Sequence, residues 1–223
     1  MPDAYAIDAT TYRKLALPVG NGYDARPNGL GPESVVLHTT NGHHGSSFAA
    51  EARYLATAAG VGAHYLVGKQ GQIVELLPPG WRAWHAGNAL WTWRNSVSIG
   101  IECHFTPGEA WPLAGTAALT WLVRRLQATY QIPAARIATH RTVALPAGRK
   151  QDPSFWTDAQ FGAWLAALSL PVVPALPRYE VVTAGANVRS GPGLVYPVTM
   201  VLGHREQFSV DTTANAWLHR VDG

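Results

Sequence analysis

Apolar positions along the chain follow two rhythms. Ser34-Val35-Val36-Leu37-His38 and Ser96-Val97-Ser98-Ile99-Gly100-Ile101-Glu102 are short apolar runs ending in polar loops, which predicts buried strands. Residues 64–68 and 72–76 flank Lys69-Gln70-Gly71, which predicts a hairpin with Gly71 in its turn. Elsewhere the spacing lengthens to three and four. Ala118, Leu119, Leu122, Val123, Leu126 and Tyr130 predict one amphipathic helix, and residues 47–59 another, with Ser47 as its start and Gly60 as its stop. A last helix begins at Thr157, where Gln160 completes a capping box and Phe161, Trp164, Leu165 and Leu168 share one face. Strands mixed with helices predict an α/β domain, a mixed central sheet flanked by helices.

The pattern changes at Leu170-Pro171-Val172-Val173-Pro174-Ala175-Leu176-Pro177, where the prolines cannot continue a helix and favour an extended connection. This divides the chain into a domain over 1–169, a linker over 170–177 and a small all-β module over 178–223. The module is read from short β-prone pieces broken by Gly and Pro, at 179–182, 186–189, 198–201, 207–210 and 217–219.

Composition narrows the class. With 47% hydrophobic and 14% charged residues, the chain has the apolar content for a core and lies far from disorder. A single cysteine, Cys103, excludes an internal disulfide and a multi-Cys zinc site. Net charge is +3 and lies wholly before the linker; there is no Lys/Arg-rich run, so nucleic acid is not an expected partner. No apolar run reaches the roughly 18 residues of a membrane span. Met1-Pro2-Asp3-Ala4-Tyr5 does not open like a signal peptide.

Nine histidines raise the question of a metal, although no HExxH pair is present. His38 closes a predicted strand, His140 follows the strand-like Arg136-Ile137-Ala138-Thr139, and Asp152 lies in the loop 148–153. Such a set could leave an open catalytic zinc position. By spacing alone it weighs little, since a histidine closing a strand is more often structural.

The local words weigh more. Tyr23-Asp24-Ala25-Arg26-Pro27 precedes Val35-Val36-Leu37-His38, followed by Gly62-Ala63-His64-Tyr65-Leu66-Val67 and Arg82-Ala83-Trp84-His85-Ala86-Gly87. Then come Ser98-Ile99-Gly100-Ile101-Glu102 and Thr139-His140 with Pro146-Ala147-Gly148-Arg149-Lys150-Gln151-Asp152-Pro153. In this order the words resemble the zinc-dependent N-acetylmuramoyl-L-alanine amidases related to the peptidoglycan recognition proteins, above all their cytosolic muropeptide-recycling branch.

The resemblance implies that His38, His140 and Asp152 bind one zinc ion (Zn2+), that Glu102 is general base and acid, and that Lys150 stabilises the oxyanion. These roles suit the residue types: a carboxylate can take a proton from water and return it to the departing amine, and an ammonium offsets charge growing on the carbonyl oxygen. Trp84, His85, Asn88 and Arg149 are expected to line the substrate groove. His43, His44, His64 and His104 read as structural, and Cys103 should face away from Glu102 on an alternating strand. Two departures stand out: Ala63 replaces the catalytic Tyr of the phage and recognition branches, and Asp152 replaces their frequent Cys ligand.

The tail resembles the bacterial SH3-like domain of wall hydrolases through Ala186-Asn187-Val188-Arg189-Ser190-Gly191-Pro192-Gly193, Tyr196-Pro197-Val198 and Trp217. Such modules raise the local concentration of an enzyme on its polymer. Together the resemblances imply an endolysin or autolysin, secreted or phage-borne, acting on peptidoglycan with no obligate protein partner. A non-catalytic peptidoglycan-binding protein and a recycling amidase for soluble anhydro-muropeptides are the alternatives.

Overall fold

The computed structural model describes residues 5–27, 30–42 and 47–168, together with the backbone of five later strands. The chain forms two compact units, one over Tyr5–Pro171 and one that includes Val172–Gly223. In the first, the elements are β1 (Ile7–Asp8), β2 (Tyr23–Ala25), β3 (Ser34–Thr39), α1 (Phe48–Thr57), β4 (Tyr65–Val67) and β5 (Ile73–Glu75). They continue with β6 (Trp81–Ala83), β7 (Ser98–Cys103), α2 (Leu113–Tyr130), β8 (Ile137–Thr139), α3 (His140–Val143) and α4 (Asp158–Leu168).

Six strands make one mixed sheet in the order β1-β5-β4-β7-β3-β8. Strands β4, β7, β3 and β8 run parallel, and β5 turns back against β4 as the predicted hairpin, with Gly71 at φ +90°. Alternation along the strands sorts the residues to two faces. Val35, Leu37, Ile99, Ile101, Cys103, Tyr65 and Val67 pack with Ala118, Leu119, Leu122, Val123 and Leu126 of α2 and Leu168 of α4. Leu122 is fully buried there, so truncation to Ala costs about 2–5 kcal/mol. Across the sheet, α1 lays Ala52, Leu55 and Ala56 against Leu66, Val74 and Leu76. Helices on both faces leave the carboxyl ends of β3, β7 and β8 as the place for a site, as in open α/β sheets generally.

The helix ends follow local chemistry. Ser47 caps α1 by accepting from the Ala50 amide. Thr157 and Gln160 cap α4 reciprocally: the Thr157 amide donates to Gln160 Oε1 at 2.9 Å, and the Gln160 amide to Thr157 Oγ1 at 3.2 Å. Helix α2 begins at Leu113, a turn earlier than its apolar stripe, directly after Pro112. Among the described residues no helix is long and apolar enough to cross a membrane.

In the second unit β9 (Arg178–Glu180), β12 (Gln207–Ala214) and β13 (Trp217–Arg220) form one antiparallel sheet, while β10 (Gly185–Arg189) pairs antiparallel with β11 (Val198–Gly203). The predicted linker 170–177, the Ser190-Gly191-Pro192-Gly193 turn, Tyr196-Pro197, His43 and His44 lie outside the described residues.

Candidate metal centre

Parallel pairing builds the site. β3 and β7 run in register with His38 opposite Glu102, and β8 pairs with β3 up to Leu37 opposite Thr139, so His140 follows at the same sheet end. Asp152 is brought in by Arg141, the neighbour of His140. The Arg141 amide donates to the Asp152 carbonyl at 2.8 Å, its guanidinium donates to the Pro153 carbonyl, and its Nε donates to Asp158 at 2.8 Å. One arginine thereby closes the loop from α3 to α4.

Three donor atoms converge. His38 Nδ1 lies 3.0 Å from His140 Nδ1 and 3.2 Å from Asp152 Oδ2, and His140 Nδ1 lies 3.0 Å from that oxygen. All three side chains are buried, at 2%, 3% and 8% exposure. Bonds of about 2.0 Å to a tetrahedral zinc set its ligands about 3.3 Å apart, close to these separations. Protonation points the same way. His140 Nε2 lies 3.1 Å from the Ala86 carbonyl, which can only accept, so the proton of a neutral His140 sits on Nε2. His140 Nδ1 and His38 Nδ1 both face Asp152 Oδ2, a convergence that either a proton or a metal cation satisfies. His38, whose pKa burial lowers, is kept in the neutral form that ligates. Burial pushes Asp152 upward, but hydrogen bonds from His140 and His38 outweigh it and hold the carboxyl well below its usual range. These residues fit a metal: two imidazoles and a carboxylate could hold one ion.

Glu102 completes the arrangement. Its Oε2 is buried and has no hydrogen-bond partner among the described residues. Burial, then the Asp152 and Glu51 charges, push its pKa up to about 8, while the Lys150 ammonium works the other way. Lys150 also disfavours protonation of His38, so its charge is felt at both residues. Ala63 is buried under α1 in the second core cluster. Cys103 packs against α2, on the face opposite Glu102.

The expected groove residues are placed differently from one another. Asn88 is exposed at the rim, and the Trp84 side chain hydrogen bonds to Asp24. The His85 ring is engaged on both sides, with Nδ1 at 2.9 Å from His38 Nε2 and Nε2 at 3.1 Å from Ser98 Oγ. Arg149 donates to the carbonyls of Leu145, Ala86 and Asn88 at 2.8, 3.1 and 2.7 Å. His85 is thus bonded at both ring nitrogens, while Arg149 is exposed and binds the backbone through Nε and Nη2. His64 likewise accepts from the Gly100 amide through Nδ1 at 2.9 Å and meets the Trp81 carbonyl through Nε2; burial, then the Arg26 charge, push its pKa down to about 3. Asn95 and Arg141, which hold the loops of the site, carry no signal in the sequence beyond their polarity.

Residues 28–155, more than half of the chain, match the family model described as N-acetylmuramoyl-L-alanine amidase. The 1,6-anhydro-N-acetylmuramyl-L-alanine amidase AmpD of Salmonella typhimurium (strain SL1344) is 32% identical over 153 residues, covering 59% of this chain and 79% of that protein. The N-acetylmuramoyl-L-alanine amidase XlyA of Bacillus subtilis (strain 168) is 31% identical over 128 residues, covering 56% of this chain and 41% of that protein. The solved catalytic domain of XlyA superposes with a TM-score of 0.56 at 27% identity, covering 73% of this chain and 99% of that one. The amidase AmiD from E. coli, solved with the substrate anhydro-N-acetylmuramic acid-L-Ala-D-gamma-Glu-L-Lys, superposes with a TM-score of 0.51 at 26% identity, covering 63% and 58%. Matched by family model, by sequence and by fold, and carrying a buried His-His-Asp cluster at the sheet end, the chain belongs to the N-acetylmuramoyl-L-alanine amidase family of amide hydrolases.

Proposed function

We propose that this protein is a zinc-dependent N-acetylmuramoyl-L-alanine amidase that hydrolyses the amide between the lactyl group of muramic acid and L-alanine in peptidoglycan. The observation that carries the reading is the convergence of His38 Nδ1, His140 Nδ1 and Asp152 Oδ2 at the sheet end that also holds Glu102, whose buried Oε2 has no hydrogen-bond partner among the described residues. His38, His140 and Asp152 would hold zinc, which supplies Lewis acidity and eases ionisation of water. Glu102 takes the proton of the attacking water and returns it to the alanine nitrogen as the amide breaks. Lys150 offsets the negative charge that grows on the lactyl oxygen. The test is digestion of purified peptidoglycan with and without a chelator. New N-terminal alanine should appear only without it, whereas new reducing sugar ends would overturn the assignment.

A second substrate has its own support. Several relatives at 31% or 32% identity are named as amidases for 1,6-anhydro-N-acetylmuramyl-L-alanine. Against this, residues 178–223 resemble a wall-binding SH3-like module, which favours polymer as the substrate and action at the wall after secretion or release. Comparing turnover of intact sacculi with turnover of soluble anhydro-muropeptides separates the two readings.

A further inference from the structure

Both histidines of the cluster are steered by consecutive residues of one loop. His38 Nε2 meets the His85 ring at 2.9 Å, and His140 Nε2 meets the carbonyl of the next residue, Ala86, at 3.1 Å. The His85-Ala86 segment thus fixes the far nitrogen of each imidazole, and with it the direction in which each Nδ1 points. Outer partners of this kind tune metal affinity as well as ligand orientation.

That segment is itself held from two sides by side chains with no contact to the donor atoms. Asn95 Oδ1 accepts from the amides of His85 at 3.2 Å and Ala86 at 2.8 Å. The Asn95 carbonyl is in turn held by the half-buried Arg26 at 3.1 Å, so the acceptor is anchored. On the other side, Arg149 Nη2 donates to the same Ala86 carbonyl that His140 uses, and to the carbonyl of Asn88. Gly87, at φ +58°, turns the chain so that both carbonyls face the guanidinium, which lies 3.6 Å from where a Cβ would stand.

We infer that Asn95 and Arg149 are positioning residues for the metal, acting through the His85-Ala86 segment on His38 and His140 together. The inference rests on the zinc reading above and deepens it. Asn95 holds the two amides, Arg149 holds the shared carbonyl, and loss of either lets both imidazoles turn away from the geometry the ion needs.

The test uses the full chain as wild type, Asn95→Ala, Asn95→Asp and Arg149→Ala. Zinc affinity is measured by competition with a chromogenic chelator, the visible spectrum is recorded with cobalt in place of zinc, and the metal-free proteins are melted. Asn95→Ala and Arg149→Ala should lose about ten- to a hundredfold in zinc affinity and shift the cobalt bands, while melting like wild type without metal. Asn95→Asp keeps the accepting oxygen and should keep wild-type affinity and spectrum. Unchanged affinity and spectrum in Asn95→Ala and Arg149→Ala overturn the inference and leave the amidase reading standing. No zinc uptake by wild type overturns both. If Asn95→Ala does not fold, Arg149→Ala decides alone, because its side chain is exposed and outside the core.

Discussion

Glu102 stands directly opposite His38 in the parallel β3–β7 ladder, so both side chains leave the same face of the sheet at its carboxyl end. The position explains the chemistry of the carboxyl. Burial comes from the packed sheet, the nearby Asp152 and Glu51 add like charge, and the pKa rises to about 8. That value is the metal-free carboxyl's, and a bound cation lowers it toward the ionised form that accepts a proton from water.

Replacing Glu102 with Gln should therefore separate proton transfer from metal binding. Gln keeps the volume and a polar terminus but cannot exchange the proton. Release of N-terminal alanine should fall by about 10²–10⁴-fold while zinc content by metal analysis matches wild type. Turnover within tenfold of wild type would remove Glu102 from the mechanism.

The same carboxyl makes the metal-free protein pH-sensitive. Its folded pKa, about 8, lies above the ordinary carboxyl value of 4.5, so the protein binds more protons at this site when folded. Its contribution to stability is full below that lower value and is lost as pH rises through about 8. With chelator present, Glu102→Gln should be more stable than wild type at pH 9, and the gap should shrink steadily on acidification. Urea denaturation of both proteins across pH checks this, and a gap independent of pH contradicts it.

Metal removal should register in stability as well as activity. An ion that binds only the folded state at a hundred times its dissociation constant stabilises by about 2.7 kcal/mol. Wild type should lose that increment on chelation and regain it with zinc. His38→Ala, lacking one of three ligands, should melt at the same temperature with or without zinc and show no activity. Retained activity in that variant would overturn the metal reading.

Lys150 tests the oxyanion role separately. Its charge reaches both Glu102 and His38, which places it within electrostatic reach of the site. Lys150→Met should lower kcat by about 10²–10³-fold with KM and zinc content little changed. A rise in KM at constant kcat would make Lys150 a binding residue instead.

Much of this arrangement was legible in the residue pattern because it depends on local order. Alternation along β3 and β7 sent Cys103 into the core and put His38 and Glu102 on the other face, and Ser47, Thr157 and Gln160 marked helix starts through bonds to their own backbone. The ligand set was read from a family resemblance rather than from spacing, since Asp152 joins it only through the Arg141 clamp on a loop. For His85 and Arg149 the residue pattern leads only to the expectation of a groove lining and carries no sign of the bonds they make. Their partners are a neighbouring ring and backbone carbonyls, set by a turn at Gly87 that composition does not specify. Lys14 was equally opaque: its ammonium is buried and caps the Ala58 carbonyl at the end of α1, where a lysine would ordinarily be solvated.

Gly100 offers a last test, of whether the ring of His85 must stay where it is. A Cβ at Gly100 would stand 2.4 Å from His85 Cγ and 2.7 Å from Cδ2 and Nδ1, closer than packed atoms tolerate. The ring cannot yield cheaply, because it is bonded to His38 on one side and Ser98 on the other. Neither can the strand, since Gly100 pairs with Val36 and its amide donates to His64. Gly100→Ala should thus cost about 1–3 kcal/mol through overpacking and weaken zinc binding at the same time, by displacing the partner of His38. Gly100→Ala combined with His85→Ala relieves the clash, so it should recover the stability lost to overpacking without recovering zinc affinity. Recovery of both would show that the ring of His85 fills space but does not orient the metal ligand.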